Sequence, residues 1–534
     1  MIKRIIDWTV SAVSPAAGAR RAHARKVERS YRGGETNRLT AHQNPKNQSA
    51  SQELRGPFGA DALRAWARML VRDNAYAFSA KNAIVSKVVG TGFNLQSALE
   101  TSSGEDEPDT NENRDRIWSD WCEVADINGE LSFDEIQCLA YGEMVEAGES
   151  LLHFVSVPKV HKGIYRPVPL AIELIEADRL AVDYDTYSLD RTNGHRIERG
   201  VELDEKGRPV AYWIYPSHPL EPNTLKRTPE RIPASRVQHL YRKDRIGQTR
   251  GVTWFAPVME SMRALGTYLE NELSASAVAS CFTTAIKTET PISLGIPSAG
   301  DTDIQDSNGS NYQFLEPGLI LNLKPGESLE SANPGRPNAN AGPWISLIVR
   351  GIAAGMGISF ESVSKDFSQT SYSSSRTSEN DNKPRFRRWQ NYWKQHCCQT
   401  TWDRFCDAAA LAGVEEFPTA TELLSDRRTA APVDIMPPVW EWVDITAEQA
   451  ASESSINAFQ STYADELGGR GKNWRRNFKQ RAKEEAEKQR LGLTSPEDAK
   501  TNQANATANQ ANAVAETQLA ATDNLETEGT NAKA

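Results

Sequence analysis

Little in this chain invites a disulfide-bonded, membrane-spanning or catalytic reading. Six cysteines are scattered through 534 residues (Cys122, Cys138, Cys281, Cys397, Cys398 and Cys406). That is too few for a disulfide scaffold and suggests reduced thiols in a cytoplasmic setting. Long apolar runs are also missing. The least polar stretch, residues 274–286, is about 13 residues rich in Ser and Thr, shorter than a bilayer requires. The opening MIKRIIDWTV starts basic, but Asp7 interrupts it and no apolar core follows, so a signal peptide is not expected. Positive charge is in deficit: 61 Lys and Arg against 71 Asp and Glu leave a net charge of −10. A general nucleic-acid coat would normally be basic.

Catalytic signatures are equally scarce. The nearest approach to a phosphate-binding loop, GGRGKN at 468–473, has the wrong spacing and no Ser or Thr after the lysine. Gly90-Thr91-Gly92 lacks the third glycine of a dinucleotide loop. His396, Cys397, Cys398 and Cys406 resemble a metal cluster on paper. Positions nine apart on one helix point to opposite sides, however, so Cys397 and Cys406 read as core thiols and no metal or cofactor is expected. Ser362-Val363-Ser364-Lys365 matches S-x-x-K, in which a lysine activates a serine, but the accompanying S-D-N and K-T-G elements are not found. The chain does not read as an enzyme.

What the chain does contain changes character several times. Residues 1–56 are polar and Arg-rich with no sustained apolar period, which predicts a disordered arm. Ala62, Leu63, Trp66, Ala67, Leu70 and Val71 then recur at helical spacing, and a second helical piece surrounds Trp118, Trp121 and Cys122. From Glu149 the period becomes that of strands: SLLHFVSV, PLAIELIEADRLAV and a hairpin turning at Gly207 predict a half-exposed antiparallel sheet over about 145–245. An apolar stripe over residues 251–286 predicts a helix of about thirty residues, roughly 45 Å long. Its second half is uncharged and built of small residues, which predicts packing against other copies through Ala275, Ala277, Val278, Cys281, Phe282 and Ile286. Residues 287–340 are loop-rich, with one strand pair in NYQFLEPGLILNL. Residues 376–413 read as a Trp-rich long helix, and PPVWEWVD at 437–444 as a strand returning to the sheet. Residues 446–490 read as helical. The tail from Thr494 carries NQANATA and NQANAVA, a seven-residue repeat too weakly apolar for a coiled coil.

Between two of these helices lies AGPWISLIVRGIAAGMGISFESVSKDFSQTSYSSSR, residues 341–376. An apolar helix from Trp344 to about Met356 runs into polar, Ser-dominated chain whose charges are Glu361, Lys365, Asp366 and Arg376. Such a surface suits contact with something highly charged that must not be held.

Several strings, in order over roughly 60–445, resemble the lambda-type portal proteins of tailed bacteriophages. They are AFSAKNAIVSKVVGTGFNLQ, IEADRL, GQTRGVTWFAPVMESM, LEPGLILNLKPGE, GMGISFESVSKDFSQTSYSSSR and WEWVD. The chain departs from the family's tendencies at Phe360 (usually Tyr) and at Asp444-Ile445 (usually Asp-Pro). The resemblance implies an α+β, ring-forming portal fold, commonly of twelve subunits, at one capsid vertex of the virion and assembled in the host cytoplasm. It implies a wing at 57–250, stem helices at 251–286 and 341–358, and a clip at 287–340. A channel loop at 359–375, a long helix and wing return at 376–445, a helical crown at 446–493 and a low-complexity tail at 494–534 complete the division. The implied partners are double-stranded DNA, the terminase motor, and head–tail and capsid or scaffold proteins, with no membrane. The implied channel residues are Ser364, Lys365, Ser368, Gln369, Thr370, Ser371, Tyr372, Ser373 and Arg376. A non-channel adaptor or scaffold, and an S-x-x-K serine hydrolase, are the competing readings.

Overall fold

The structure is a computed structural model that describes residues 49, 50, 54, 59–100, 107–185, 194–222, 228–281, 285–288, 304–305, 311–312, 327–330, 340–368, 371–440, 445–470 and 472–491. Most of the Arg-rich arm, the repeat-bearing tail, most of the 287–340 insert and residues 441–444 lie outside that set. What is described is a mixed α+β chain with antiparallel sheets.

Two helices open it, α1 (Ala60–Asp73) and α2 (Ala75–Val88). Asn74 divides them: it ends α1 in extended conformation, and its side chain accepts from the backbone N–H of Tyr76 and Ala77, capping α2. Strand β1 (Asn94–Ser97), α3 (Pro108–Cys122) and α4 (Phe133–Glu146) follow, the last begun by a Ser132–Glu135 capping box. Next come β2 (Glu149–Ser156), the ribbon β3 (Val160–His161) and β4 (Ile164–Tyr165), and β5 (Leu170–Glu176). The meander β6 (Arg196–Glu198), β7 (Val201–Leu203), β8 (Pro209–Ile214) and β9 (Glu230–Pro233) leads to β10 (Val237–Tyr241). Strand β2 is central in the order β10–β2–β5.

The expected half-exposed sheet is here a sheet covered on both faces. Successive side chains of a strand point to opposite sides. Leu152 and Phe154 enter the main helical core, while Leu151 joins Ile175, Val201, Leu203, Tyr212 and Val237 in a second core against the meander. Of the alternating charges, Glu149 and Glu202 are buried, and Glu173, Glu176, Arg196 and Glu198 are half-buried.

The stem helix is also shorter than its stripe. Helix α5 spans Met259–Cys281, with turns over 254–258 before it. Pro257 has no N–H and suits a helix entrance rather than an interior. Ile286, expected on this helix, instead lies in β11 (Ala285–Thr288), opposite Leu329 of a strand over Glu327–Glu330. The preceding β-branched pair Thr283-Thr284 favours such a change of period. Asn311–Tyr312, expected to pair with the chain after Pro317-Gly318, pairs with Ile304–Gln305.

Helix α6 (Ala341–Met356) and the short α7 (Phe360–Ser364) precede α8 (Tyr372–Trp393). A π-type turn over Lys394–Cys398 passes directly into α9 (Gln399–Leu411). Trp402 and Phe405 of α9 meet Trp118 edge-on at 5.2 and 4.9 Å between ring centroids, which embeds the far end of the long helix in the wing. The returning strand is Val433–Met436, paired with β1, four residues before the expected one. Pro437-Pro438 offers no N–H to a ladder and ends it.

Beyond it, helices over Ile445–Asn457, Tyr463–Gly469 and Trp474–Leu491 form the C-terminal region. Gly468 packs against the Met436 side chain, and polar contacts add to this docking. Asn473 Nδ2 donates to Asp115 (2.6 Å), whose carboxyl burial pushes up to about 6, and Arg475 donates to the Ser97 carbonyl (3.1 Å).

One ionic cluster joins these parts. Glu149, wholly buried at the head of β2, accepts from Arg250 Nε (2.8 Å), Arg64 Nη2 (3.1 Å), His239 Nε2 (3.0 Å) and the Gly251 backbone N–H (2.7 Å). Arg250 also donates to the Arg199 carbonyl (2.6 Å), and Arg64 donates to Asp178 (3.0 Å). Gly148 and Gly251 face each other backbone to backbone, where a Cβ on either would strike the opposite main chain. Gln248 fastens the preceding turn, accepting from Asp244 N–H (2.8 Å) and donating to the Arg250 carbonyl (2.8 Å). The string GQTRG therefore fastens α1, β2 and β10 to the chain entering α5. Burial alone would raise the Glu149 pKa, but Arg250 and His239 outweigh it and hold the carboxyl well below its usual range.

A depressed carboxyl stabilises the fold above its unfolded pKa and loses that contribution as pH falls through its folded value. This contribution should therefore fade progressively as pH falls from about 5 towards the folded value, and Glu149→Gln should lose this acid-dependent part of the stability. Arg250→Met leaves the carboxylate without its main partner and should cost about 3–5 kcal/mol. Urea midpoints at several pH values check both. A cost under about 1 kcal/mol, typical of an exposed pair, would contradict the assignment.

Candidate channel segment and assembly surface

Helix α6 buries Val349, Ile352, Ala353 and Met356. Its C-terminal turn comes so close to the start of α5 that a Cβ on Gly355 would strike the Val258 side chain. Its other half is apolar and uncovered within the chain: Trp344 is 53% and Leu347 60% exposed. Helix α5 behaves similarly. Met259, Met262 and Leu265 are buried, but Leu273 is 72% exposed. Further along, Ala275 is half-buried and Ala277 exposed. Val278 and Cys281 lie on the same helix with side chains outside the described set, as is Phe282.

The segment expected as one loop, 359–375, is helical at both ends. Gly357 closes α6 in the left-handed conformation (φ +67°), with the Arg385 guanidinium where a Cβ would stand. Ser359 caps α7, its Oγ accepting from Ser362 N–H (3.3 Å), and Lys365 closes that helix in left-handed conformation. Ser364 Oγ accepts from Asp366 N–H (3.1 Å), and Asp366 accepts from Ser368 N–H (3.0 Å). The Ser368 hydroxyl and N–H hold the Asp366 carboxyl below its usual range. Ser371 caps α8: its Oγ accepts from Ser374 N–H (3.3 Å), and its own N–H donates to Ser374 Oγ (3.0 Å). Serines at such positions replace the hydrogen bonds that the first turn of a helix leaves unmade.

What remains non-helical is a short exposed turn. Lys365, Asp366, Phe367, Ser368 and Ser371 are all exposed, as is Ser373 in the first turn of α8. Gln369 and Thr370 are outside the described residues, as are the side chains of Tyr372 and Arg376, whose backbones belong to α8. The S-x-x-K serine sits within a capping turn, with Ser362 Oγ 2.7 Å from Ser359 Oγ and its carbonyl accepting from Ser79 Oγ (3.0 Å).

Two clusters resemble metal sites and have other roles. Glu176, Asp178 and His218 bring ligand atoms within 4.8 Å of one another, but Arg64 and Arg68 already pair with the carboxylates. Cys397, Cys398 and Cys406 are buried core thiols, and burial pushes Cys398 and Cys406 well up from the usual thiol range. No helix among the described residues is long and apolar enough to cross a membrane.

The chain is thus α+β, with exposed apolar residues on α5 and α6 and an exposed serine turn between α7 and α8. A family model described as phage portal protein, lambda family, matches residues 36–390. The probable portal protein of Halomonas phage phiHAP-1 is 24% identical over 442 residues, covering 82% of each chain. Portal protein B of Escherichia phage lambda is 23% identical over 331 residues, covering 56% of this chain and 60% of that one. Among solved structures, a chain of the neck of a native gene transfer agent particle computed with C12 symmetry is 13% identical. It aligns with 77% of this chain and 92% of its own at a TM-score of 0.41. The chain belongs to the lambda family of phage portal proteins.

The capping roles predict that Ser371→Ala costs about 1 kcal/mol of local stability. Hydrogen exchange should then show faster fraying of the first turn of α8, while Ser378→Ala, further along the same helix, leaves that turn unchanged. Equal effects of the two substitutions would contradict the capping assignment.

Proposed function

We propose that this chain forms a closed ring, of twelve subunits, at one vertex of a phage capsid. Double-stranded DNA passes through the ring's channel during packaging and ejection. The observation that carries this reading is the apolar surface around Trp344, Leu347 and Leu273, joined to membership of a portal family. Exposed apolar patches of this kind mark interaction sites. A closed ring uses one such patch head-to-tail against a different patch on the next copy. The stem residues Ala275, Ala277, Val278, Cys281 and Phe282 belong to that interface in this reading. The clip and wing dock the terminase, the head–tail joining proteins and the capsid or its scaffold.

The channel is lined at its narrowest by the segment from Ser364 to Ser373, with Lys365 and Arg376 at its edges. Each phosphate neutralised by a cation changes log K by about −0.9 per unit of log salt. Several cations on each of twelve subunits would stall a moving duplex. Exposed hydroxyls with a single lysine touch the backbone weakly and read no sequence.

Two outcomes test the reading. Electron microscopy of purified protein should show rings with a central hole, and Leu347→Asp should disperse them with unchanged circular dichroism. Intact folded protein that never forms rings would favour the non-channel adaptor. Replacing Ser368, Gln369 and Thr370 by lysines should slow packaging, with partial recovery at raised salt. A packaging rate unaffected by the lysines would overturn the channel role.

A further inference from the structure

A groove of about 380 Å³ runs between α8 and the chain that follows the return strand. Lys383, Arg387, Gln390 and Asn391 form its helical wall, and Pro437, Pro438, Val439 and Trp440 form the other. The second wall belongs to no helix or strand, yet it is held at three points. Gln390, itself buried, donates from Nε2 to the Pro438 carbonyl (3.0 Å). The Pro438 ring lies so close to Gly90 that a Cβ there would stand 3.2 Å from it. The Trp440 indole N–H donates to the Lys87 carbonyl (2.7 Å), and its ring centroid lies 6.4 Å from that of Phe386. A wall pinned in this way makes the groove preformed, so a ligand need not order it.

The two walls differ in chemistry. The helical wall carries cations four positions apart, Lys383 half-buried and Arg387 exposed, and no carboxylate lies among the described residues that line the groove. The opposite wall is apolar: Val439 is 46% exposed, and neither proline has an N–H to offer a ligand. The Arg387 guanidinium lies 5.9 Å from the centroid of the Trp440 ring, so charge and apolar surface adjoin. Positions four apart on a helix are separated by about 6 Å along its axis. Alternate residues of an extended chain are separated by about 6.6 Å and point to one side, with the residue between them pointing to the other. The two spacings match. An extended peptide laid along the groove therefore sets two carboxylates against Lys383 and Arg387 and turns the residue between them towards the proline and valine wall.

We propose that this groove docks an extended acidic segment of a partner protein, with carboxylates at alternate positions and an apolar residue between them. Duplex phosphates are gripped by cations and N–H donors, whereas one whole wall here is apolar and lacks N–H groups at both prolines. The site stands on the single chain and does not depend on ring formation.

Fluorescence anisotropy of a dye-labelled peptide, Glu-Val-Glu-Val-Glu-amide, titrated with the full chain tests this. The peptide should bind saturably, and its counterpart with glutamine at every acidic position should bind about ten-fold more weakly or worse. Arg387→Glu should weaken binding about ten-fold or more, and Val439→Asp, which puts a like charge on the apolar wall, should do the same. Both positions are exposed, and circular dichroism verifies that both variants are folded. No saturable binding, equal binding of the two peptides, or binding unchanged in both variants would overturn the proposal. So would displacement of the peptide by a short DNA duplex whose own binding depends on Arg387, which would assign the groove to nucleic acid.

Discussion

A carboxylate removed entirely from water persists only where positive charge and N–H donors replace the hydration it lost. Glu149 meets that condition with four groups from three places in the chain: Arg64 of α1, His239 of β10, and Arg250 with Gly251 ahead of α5. The partners are 85 to 102 residues away in sequence. Satisfying one side chain therefore fixes the first helix, the central sheet and the entrance to the stem relative to one another. The facing glycines Gly148 and Gly251 make this possible, because a side chain on either would hold the two backbones apart.

The stem inherits its direction from that fastening. Trp254 and Phe255 follow Arg250 directly and are buried, and α5 begins four residues later. The close approach of Gly355 to Val258 then sets α6 against it. The two helices leave the core with their apolar faces covered at one end only. The uncovered ends carry the surface on which the assembly reading rests, and the serine turn follows from the covered end of α6 through Gly357.

Local patterns were legible in the sequence and long-range ones were not. The helical period from Ala62 to Val71 corresponds to α1, and the strand period after Gly148 to β2 and β5. A period of two does not reveal whether one layer or two covers a sheet, so the second cover over β2 is not legible locally. The apolar aromatic run VWEW reads as a strand, yet Pro437-Pro438 ends the ladder before it. In the segment after Gly357, shortage of charge was evident, but the serines at 359 and 371 were not recognised as caps although each lies three residues before another serine. Glu149 itself was invisible: one acid at the head of an apolar strand looks like a strand end.

Gly251 offers the most direct probe of the fastening, since its N–H donates to the buried Glu149 carboxylate in a stretch that belongs to no helix or strand. Native-state hydrogen exchange of that amide, compared with those of Leu151 and Leu152 in β2, is the measurement. If the carboxylate locks wing to stem, the Gly251 amide exchanges only with the opening that exposes the strand, at the same free energy. Exchange at the rate of a surface loop, with β2 still protected, would contradict the account.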